Sequence, residues 1–237
     1  MALPQVTTPT YELAVPSTDE KIKYRPFLVK EEKILMIAME AQEQTGIIDA
    51  VKQIVQSCTF EKFDMAKAPM FDVEYIFLNI RAKSVGEVST VSLRCPDDNK
   101  TFVPTDIDLT KVKVEMDKNH SNKIELTEEM GMIMKYPTLE LFNTLDASNI
   151  NASNMIEIIA ECIEQIYDKK GEEVFHAKDS TKQELIDFVE QLNSTQFKDL
   201  QKFFDTMPKL THTVKIENPK TKKKSEIVLS GLNDFFG

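Results

Sequence analysis

Alternating apolar and polar positions open the chain. In the stretch TYELAVPSTDEKIKYRPFLV, apolar side chains recur at every second position on both sides of a turn-rich segment, residues 16–20. A period of two is typical of strands that bury one face. The pattern therefore predicts a β-hairpin, with Tyr11, Leu13 and Val15 on one strand and Ile22 and Tyr24 on the other.

The period then changes to that of helices. KEEKILMIAMEAQEQ and TGIIDAVKQIVQSC predict two helices, the second with a narrow apolar stripe. APMFDVEYIFLNIRAKSVG predicts a third helix, which begins after Pro69 and ends before Gly86. This third helix is apolar nearly all round, and helices of that kind are usually buried.

Residues 85–136 return to strand-like patterns. EVSTVSLRCPDDNKTFVPTDIDL places two β-rich runs around the turn cluster CPDDNK, and two or three more short strands follow before Pro137. The pattern predicts a small β module inserted between helical segments.

Helical periods dominate the next part of the chain. TLELFNTL predicts a short helix, and NASNMIEIIAECIEQIYD predicts one long helix. KKGEEVFHAKD predicts a turn and one strand. The apolar stripe of the long helix is Met155, Ile159, Cys162, Ile163 and Ile166.

Two helix starts can be predicted from capping residues. Thr181 and Glu184 have the spacing of a capping box before LIDFVEQL. Ser194 is a suitable N-cap for the helix TQFKDLQKFFDTM, which Pro208 ends.

The chain closes with KLTHTVKIENPKTKKKSEIVLSGLNDFFG, in which two alternating runs flank a lysine-rich tip. This pattern predicts a β-hairpin finger. The fold class expected is α+β, a helical body with one or two small antiparallel β modules built from knuckle-like hairpins. The segments expected are 1–84 with the N-terminal hairpin and helices, 85–136 with the inserted module, and 137–237 with the C-terminal helices and finger.

Charge is distributed unevenly along these elements. The chain has 237 residues with 41% hydrophobic and 29% charged residues, an ordinary globular composition, and its net charge is −10. Residues 209–226 hold six Lys and two Glu, a local charge of +4, so the rest of the chain carries −14. The overall acidity argues against general nucleic-acid binding, which depends on Lys and Arg neutralising phosphates.

The number of cysteines and the hydropathy of the chain indicate the cellular compartment of the protein. The three cysteines are Cys58, Cys95 and Cys162, and so sparse and odd a number fits a reducing environment without disulfides. No apolar run approaches the ~20 residues that span a bilayer. The N-terminus lacks the charged start and apolar block of a signal peptide. We therefore expect a soluble intracellular product without membrane association.

Motifs of catalysis are absent from the sequence. There is no GxSxG, HExxH or phosphate loop, and six glycines offer little material for a phosphate cradle. A competing hypothesis is a hydrolase that uses His120, His176 or His212 with a carboxylate, which would require these residues to converge. We expect a protein that is not an enzyme and that needs no cofactor.

Two turns have the outline of a zinc knuckle, C-P-x-C-x-K. Cys95 and Asp98 occupy the two ligand positions of the first, and Asn218 and Thr221 occupy those of the second. A structural zinc site needs four nitrogen or sulfur ligands, and these positions supply one thiol. We interpret both as degenerate knuckles closed by turn hydrogen bonds, with no metal. A residual site made by Cys95, Asp98 and His212 is the alternative.

The lysine finger, defined as Lys220, Lys222, Lys223 and Lys224, has three interpretations. It is a solvated hairpin tip that protects an edge strand, or it docks onto an acidic protein surface. Nucleic-acid binding is the third, and it lacks support because no aromatic residues interleave the lysines.

Two adjacent aromatic residues, Phe235 and Phe236, stand at the end of the sequence. They either fold back onto the core or anchor a partner protein. We assign partner binding, as a hypothesis, to the lysine finger for electrostatic steering and to Phe235 and Phe236 for anchoring.

Three stretches carry a family resemblance. YRPFLVKEEK at residues 24–33, IRAKSVGE at residues 80–87, and residues 203–236 with their terminal hairpin resemble the baseplate hub and hub-assembly subunit family of T-even-type contractile-tailed bacteriophages. The CP turn of the β module is also similar. The resemblance covers nearly the whole chain and includes no catalytic motif.

The resemblance implies a role without turnover. Such a protein is a component of the tail baseplate hub that binds other hub or tape-measure proteins during tail assembly, without contacts to nucleic acid or membrane. It is made in the host cytoplasm and located in the virion, where hub symmetry allows an oligomer. The alternative is a transient assembly chaperone absent from the mature virion.

The resemblance also bears on the two knuckle-like turns. The resemblance implies cysteine pairs in relatives at the positions where this chain has Cys95 with Asp98 and Asn218 with Thr221. This difference implies that the finger is a knuckle hairpin that no longer uses metal. A shared ancestral four-thiol site would require the two turns to face each other, and a wide separation of Cys95 from Asn218 would contradict that hypothesis.

Overall fold

A computed structural model describes residues 6–41, 44–144 and 152–236 of the chain. It consists of helices and several small antiparallel sheets, which confirms the α+β class. The helices are α1 Val29–Ala41, α2 Gln44–Cys58, α3 Met70–Ser84, α4 Leu139–Thr144, α5 Ala152–Glu161, α6 Lys182–Glu190, α7 Ser194–Thr206 and α8 Leu232–Phe236. The strands are β1 Tyr11–Ala14, β2 Lys21–Tyr24, β3 Val88–Arg94, β4 Phe102–Asp108, β5 Lys113–Glu115, β6 Lys123–Glu125, β7 Met130–Met134, β8 Ile163–Asp168, β9 Glu173–His176, β10 Lys209–Glu217 and β11 Lys224–Ser230.

The chain forms two compact units. Unit 1 consists of Met1–Glu115 and Lys209–Gly237, and unit 2 is the intervening Met116–Pro208. The chain returns to unit 1 because β10 pairs antiparallel with β5, with Lys209 opposite Glu115. The segment expected at 85–136 is therefore divided between the two units after residue 115, and the segment expected at 137–237 is divided after residue 208.

Unit 1 is built around helix α3, whose apolar surface is buried on nearly all sides as expected. Its strands form the hairpin β1–β2, the hairpin β3–β4 and a three-stranded sheet of order β11-β10-β5. All pairs are antiparallel. One core joins α3 to the hairpin β3–β4 and to the sheet β11-β10-β5, and its fully buried members include Leu78, Ile107, Leu210 and Phe235.

Unit 2 contains a four-stranded antiparallel sheet of order β6-β7-β8-β9. Helices α5, α6 and α7 supply apolar side chains to its core. The fully buried residues of this core include Met132, Met134, Ile159, Ile163 and Leu200.

The long helix expected over residues 151–168 is wrong in its second half. Helix α5 ends at Glu161, and Ile163–Asp168 is strand β8. Residues 163–167, IEQIY, include β-branched and aromatic side chains, which fit a pleated sheet better than a helix. Strand β8 pairs with β7 on one side and β9 on the other, so tertiary pairing overrides the helical spacing of the apolar residues.

The two predicted helix starts differ in outcome. The capping box of Thr181 and Glu184 is present, as expected. The N-cap of α7 is Asn193 instead of Ser194, because the Asn193 side chain accepts hydrogen bonds from the backbone N–H groups of Thr195 and Gln196. An asparagine oxygen reaches these unpaired amides as well as a serine oxygen does, which makes adjacent candidates hard to separate in sequence.

Two of the stretches that carry the family resemblance contact each other inside unit 1. The backbone N–H of Phe27 donates to Ser84 Oγ over 2.9 Å. Arg25 Nη2 lies 2.9 Å from Glu31 Oε1, and the Glu31 side chain is 2% exposed. The Phe27–Ser84 bond holds the segment after β2 against α3, and the Arg25–Glu31 pair joins that segment to α1, so these stretches have a packing role. No helix in the described part of the chain is long and apolar enough to cross a membrane.

Candidate partner-binding surface: the paired turns

The first turn, Cys95–Thr101, joins β3 to β4. Its backbone is closed by Cys95 N–H donating to Thr101 O over 2.8 Å and Asn99 N–H donating to Cys95 O over 2.9 Å. The Asp98 carboxylate accepts the backbone N–H groups of Lys100 and Thr101, each over 3.0 Å, and the Thr101 hydroxyl over 2.6 Å. The second ligand position of this knuckle outline is thus occupied by a carboxylate that bonds its own turn.

The second turn, Asn218–Lys223, joins β10 to β11 and repeats this arrangement. Asn218 N–H donates to Lys223 O over 2.9 Å, and Lys222 N–H donates to Asn218 O over 2.8 Å. The fifth residue of each turn has a positive φ, 53° at Asn99 and 60° at Lys222. Asparagine adopts this conformation readily, whereas lysine does so at some cost, so surrounding bonds must hold Lys222.

Asp97 of the first turn fastens it to the second. Asn218 Nδ2 donates to Asp97 Oδ1 over 3.0 Å and to Oδ2 over 3.2 Å, and the Thr221 hydroxyl donates to Oδ2 over 2.5 Å. Asn218 is 1% exposed, so its amide depends on these bonds in place of water. The two turns therefore face each other, in agreement with the hypothesis from the sequence. We refer to them together as the paired turns.

The electrostatics of the paired turns favour two ionised carboxylates beside a neutral thiol. The hydrogen bonds from Asn218 and Thr221 hold the pKa of Asp97 below its usual range. Bonds from the Thr101 side chain and backbone lower the pKa of Asp98. Burial, together with Asp97 and Asp98, raises the pKa of the Cys95 thiol. Since metal ions bind the thiolate, this environment makes Cys95 a poor ligand.

The structure brings Asp98, Asn218 and Thr221 into hydrogen-bonded turns and leaves His212 apart. In the described ranges, no group of three or more His, Cys, Asp or Glu residues could hold a metal ion. His212 lies six residues before Asn218 on β10, opposite Leu229. Six residues of strand span about 20 Å, so His212 does not complete a site at the turns.

The lysine finger projects from the paired turns. All four of its lysine side chains are exposed. The backbone beneath them is fixed by the Asn218 carbonyl Oδ1, which accepts Lys220 N–H over 2.9 Å, and by the Asn218–Lys223 bond of 2.9 Å. Across the residues that the structure describes, no ion pair uses a lysine of this finger. The four charges are therefore free to meet a partner.

The C-terminal aromatic pair requires a correction. Phe235 is 0% exposed, and its backbone carbonyl accepts the Ser89 hydroxyl over 2.9 Å. Phe235 thus fills a gap in the unit 1 core, and it cannot anchor a partner while α8 is docked. The side chain of Phe236 lies outside the described part of the structure.

Sequence patterns did not identify Glu74, a buried carboxyl of α3 that contacts the start of α8. It is 8% exposed and accepts Leu232 N–H over 3.3 Å. Burial raises the pKa of Glu74 to about 7, against the lowering effect of that bond. A charged residue in a helix pattern is normally assigned to the surface, so only tertiary structure identifies it as a contact to the C-terminal helix.

The histidines occupy unrelated environments. His120, in unit 2, has Nδ1 3.0 Å from Thr206 Oγ1 and Nε2 3.0 Å from Tyr136 Oη, so its partners are hydroxyls. Burial lowers the pKa of His120. His176 is exposed at the edge of a cavity of about 530 Å³, and His212 belongs to unit 1.

Comparison with known proteins gives one family. A family model described as "T4 bacteriophage base plate protein" matches residues 8–237, nearly the whole chain. The match includes both units and the paired turns. The searches of curated proteins and of solved structures gave no match.

Proposed function

The chain belongs to the T4 bacteriophage base plate protein family, and from that premise we propose that it is a non-enzymatic component of the baseplate hub. Membership of the family places the protein in the tail baseplate of the virion. Our proposal adds that the lysine finger docks onto an acidic surface of another hub or tape-measure protein during tail assembly.

One observation carries this proposal: the exposed lysines stand on a base that is ordered by hydrogen bonds among buried Asn218, half-buried Asp97 and exposed Thr221. Asp97 and Asn218 fix the base of the finger, and the four lysines above it have no ion-pair partner within the described residues. Because the backbone is already ordered, docking loses less conformational entropy than docking of a flexible basic loop. A lysine-rich tip that served only as a solvated turn would not require a base ordered by these hydrogen bonds.

The distribution of charge supports an acidic partner. The finger segment, residues 209–226, carries +4 on a chain whose remainder carries −14. A body of that charge repels acidic proteins at long range, so a local basic tip can select the orientation in which they approach. Nucleic acid would meet the same repulsion with only a few compensating lysines.

The test is complementation of assembly in extracts. Purified protein is added to an extract of cells infected with a phage whose copy of this sequence carries a nonsense mutation, and infectious particles are counted over time. We expect replacement of all four finger lysines by serine to slow particle formation about tenfold at low salt, because electrostatic steering is lost. The slope of the rate against salt concentration should flatten.

A matched control separates local charge from net charge. Lys118, Lys178, Lys198 and Lys202 are exposed residues of unit 2, and replacing them by serine removes the same four charges. This control should retain the salt dependence of the wild type. A finger variant with an unchanged salt slope would contradict docking through the lysine finger.

A further inference from the structure

Helix α1 has two opposed apolar sides, and only one of them is covered. Ala38 is buried and Ile34 and Leu35 are half-buried, together with Glu31 of the buried ion pair. These positions follow the spacing i, i+3, i+4, i+7 that lies on one side of a helix. This inner side packs against the body of unit 1, where α1 contacts α2.

The outer side carries a second stripe at helical spacing. It consists of Val29, Lys33, Met36, Ile37 and Glu40, and we call it the outer stripe. Val29 is 79% exposed, and Met36 and Ile37 are each 56% exposed. Apolar side chains at positions i, i+7 and i+8 normally face another element, so this stripe is suited to a helix of a partner.

We propose that the outer stripe binds the outer stripe of a second copy of this chain. The two α1 helices would run antiparallel about a twofold axis, with Met36 of each opposite Ile37 of the other. In this register Lys33, three residues before Met36, lies opposite Glu40, three residues after Ile37. The twofold axis generates this oppositely charged pair twice.

Charge complementarity is the reason to expect a second copy. Lys33 and Glu40 are both exposed, and neither forms an ion pair among residues 6–41, 44–144 and 152–236. A twofold interface uses the same patch on both subunits, so the patch must complement itself. One cation and one anion at equal distances from the apolar centre satisfy that requirement.

The expected interface is small. The overlap is about ten residues of helix on each copy, roughly 15 Å in length, and it falls below the burial of ~1,200 Å² typical of stable complexes. We therefore expect weak association in solution, with a Kd on the order of 10–100 µM. Repeated copies in an assembled baseplate would strengthen such a contact through high effective concentration.

Charge reversal tests the proposal without knowledge of any other partner. Sedimentation equilibrium from about 5 to about 500 µM should show a monomer–dimer equilibrium for the wild type. Lys33→Glu and Glu40→Lys should each weaken dimerisation about tenfold, since each places like charges opposite one another twice. The double variant restores both pairs and should dimerise like the wild type.

Cross-linking gives an independent readout. Met36→Cys, next to the proposed axis, should form a disulfide between two copies under mild oxidation. Met116→Cys is the matched control, since Met116 is 58% exposed and lies outside the stripe. The three natural cysteines, Cys58, Cys95 and Cys162, are buried and do not compete.

Several outcomes would overturn the proposal. These are a wild type that stays monomeric throughout, single charge reversals without effect, a double variant that is not restored, or Met36→Cys that cross-links in particles only to a different protein. The serine variant of the lysine finger should dimerise normally. Failure of the dimer and failure of the finger to dock are therefore distinguishable.

Discussion

The two turns that meet at Asp97 have similar backbone arrangements and opposite charge. The first turn has Asp97 and Asp98 after its proline, whereas the second has Lys220 and Lys222. In both, the first residue is closed by a backbone bond and the fifth has a positive φ. In both turns, backbone bonds and polar side chains close the loop, while the two tips carry charges of opposite sign.

The equivalent positions Asp98 and Thr221 make this difference concrete. Asp98 accepts Lys100 N–H over 3.0 Å, and Thr221 Oγ1 accepts Lys223 N–H over 3.3 Å, so each bonds the amide two residues on. The second carboxylate oxygen of Asp98 accepts a hydrogen bond from the Thr101 hydroxyl of the same turn. Thr221 instead donates its hydroxyl to Asp97. The Asp98 bonds thus close the first turn internally, whereas the Thr221 hydroxyl joins the second turn to the first.

The largest expected effect is on thermal stability, when substitutions give each of the two turns a pair of thiols. Asp98→Cys, Asn218→Cys and Thr221→Cys together with Cys95 would place two thiols on each turn. Because the turns face each other, we expect a four-thiol zinc site and a zinc-dependent rise in Tm of about 10 °C or more. Thermal unfolding with zinc and with a chelator measures the rise.

A three-thiol variant controls for unspecific zinc binding. Adding Cys95→Ala to the triple variant should reduce the zinc-dependent rise in Tm, since one of four ligands is lost. If the four-thiol variant gains no stability from zinc, the four positions do not converge.

The next effect compares the first residues of the turns. Asn218→Ala removes a buried amide that bonds both Asp97 and the second turn, and we expect a loss of about 1–3 kcal/mol in the free energy of unfolding. Cys95→Ala removes one buried sulfur without a bond to the other turn, so its cost should be smaller, about 1 kcal/mol. Urea unfolding measures both. Equal losses in the free energy of unfolding for the two variants would contradict the assignment of Asn218 as the residue that joins the two turns.

Acid should reveal the bonds of Asp97. Its folded-state pKa is lowered by Asn218 and Thr221, so the stability gained is present above the unfolded value of ~3.9 and is lost as the pH falls through the lowered pKa. We expect the free energy of unfolding of the Asn218→Ala/Thr221→Ala variant to fall less steeply below about pH 4 than that of the wild type. Parallel curves for the two proteins would contradict this assignment.

The smallest effect is expected at the tip of the second turn. Replacing Lys220, Lys222, Lys223 and Lys224 by serine should change the free energy of unfolding by less than about 0.5 kcal/mol, because these side chains are exposed. Urea unfolding of this variant, beside the unit 2 lysine control, checks that its assembly defect is one of binding. A large loss of stability would mean that the lysines belong to the folded structure.

Local patterns predicted much of the fold and part of the site. The alternation around residues 16–20, the burial of α3 and the capping box at Thr181 follow from short-range chemistry, which sequence displays directly. The shared outline of the two turns was likewise visible as C-P-x-D and N-P-x-T. Pattern alone was sufficient wherever neighbours in sequence set the structure.

Contacts across long sequence separations could not be predicted. The spacing of Ile163 and Ile166 predicted that they continue the apolar stripe of a helix. In the structure they lie in strand β8, because β8 pairs with β7 and β9. No sequence pattern identified Asp97 as a contact residue, because its partner Asn218 lies 121 positions away. The sequence could not decide whether Phe235 is buried in the core or against a partner, and in the structure it belongs to the unit 1 core.

The most direct test of the account counts this chain in finished particles. Quantitative mass spectrometry would compare its copy number with that of another baseplate protein in virions that carry the wild type, the lysine-finger serine variant or the unit 2 lysine control. We predict equal copy numbers for the wild type and the control, and a marked depletion of the finger variant. A finger variant incorporated at the wild-type copy number would contradict docking through the lysine finger.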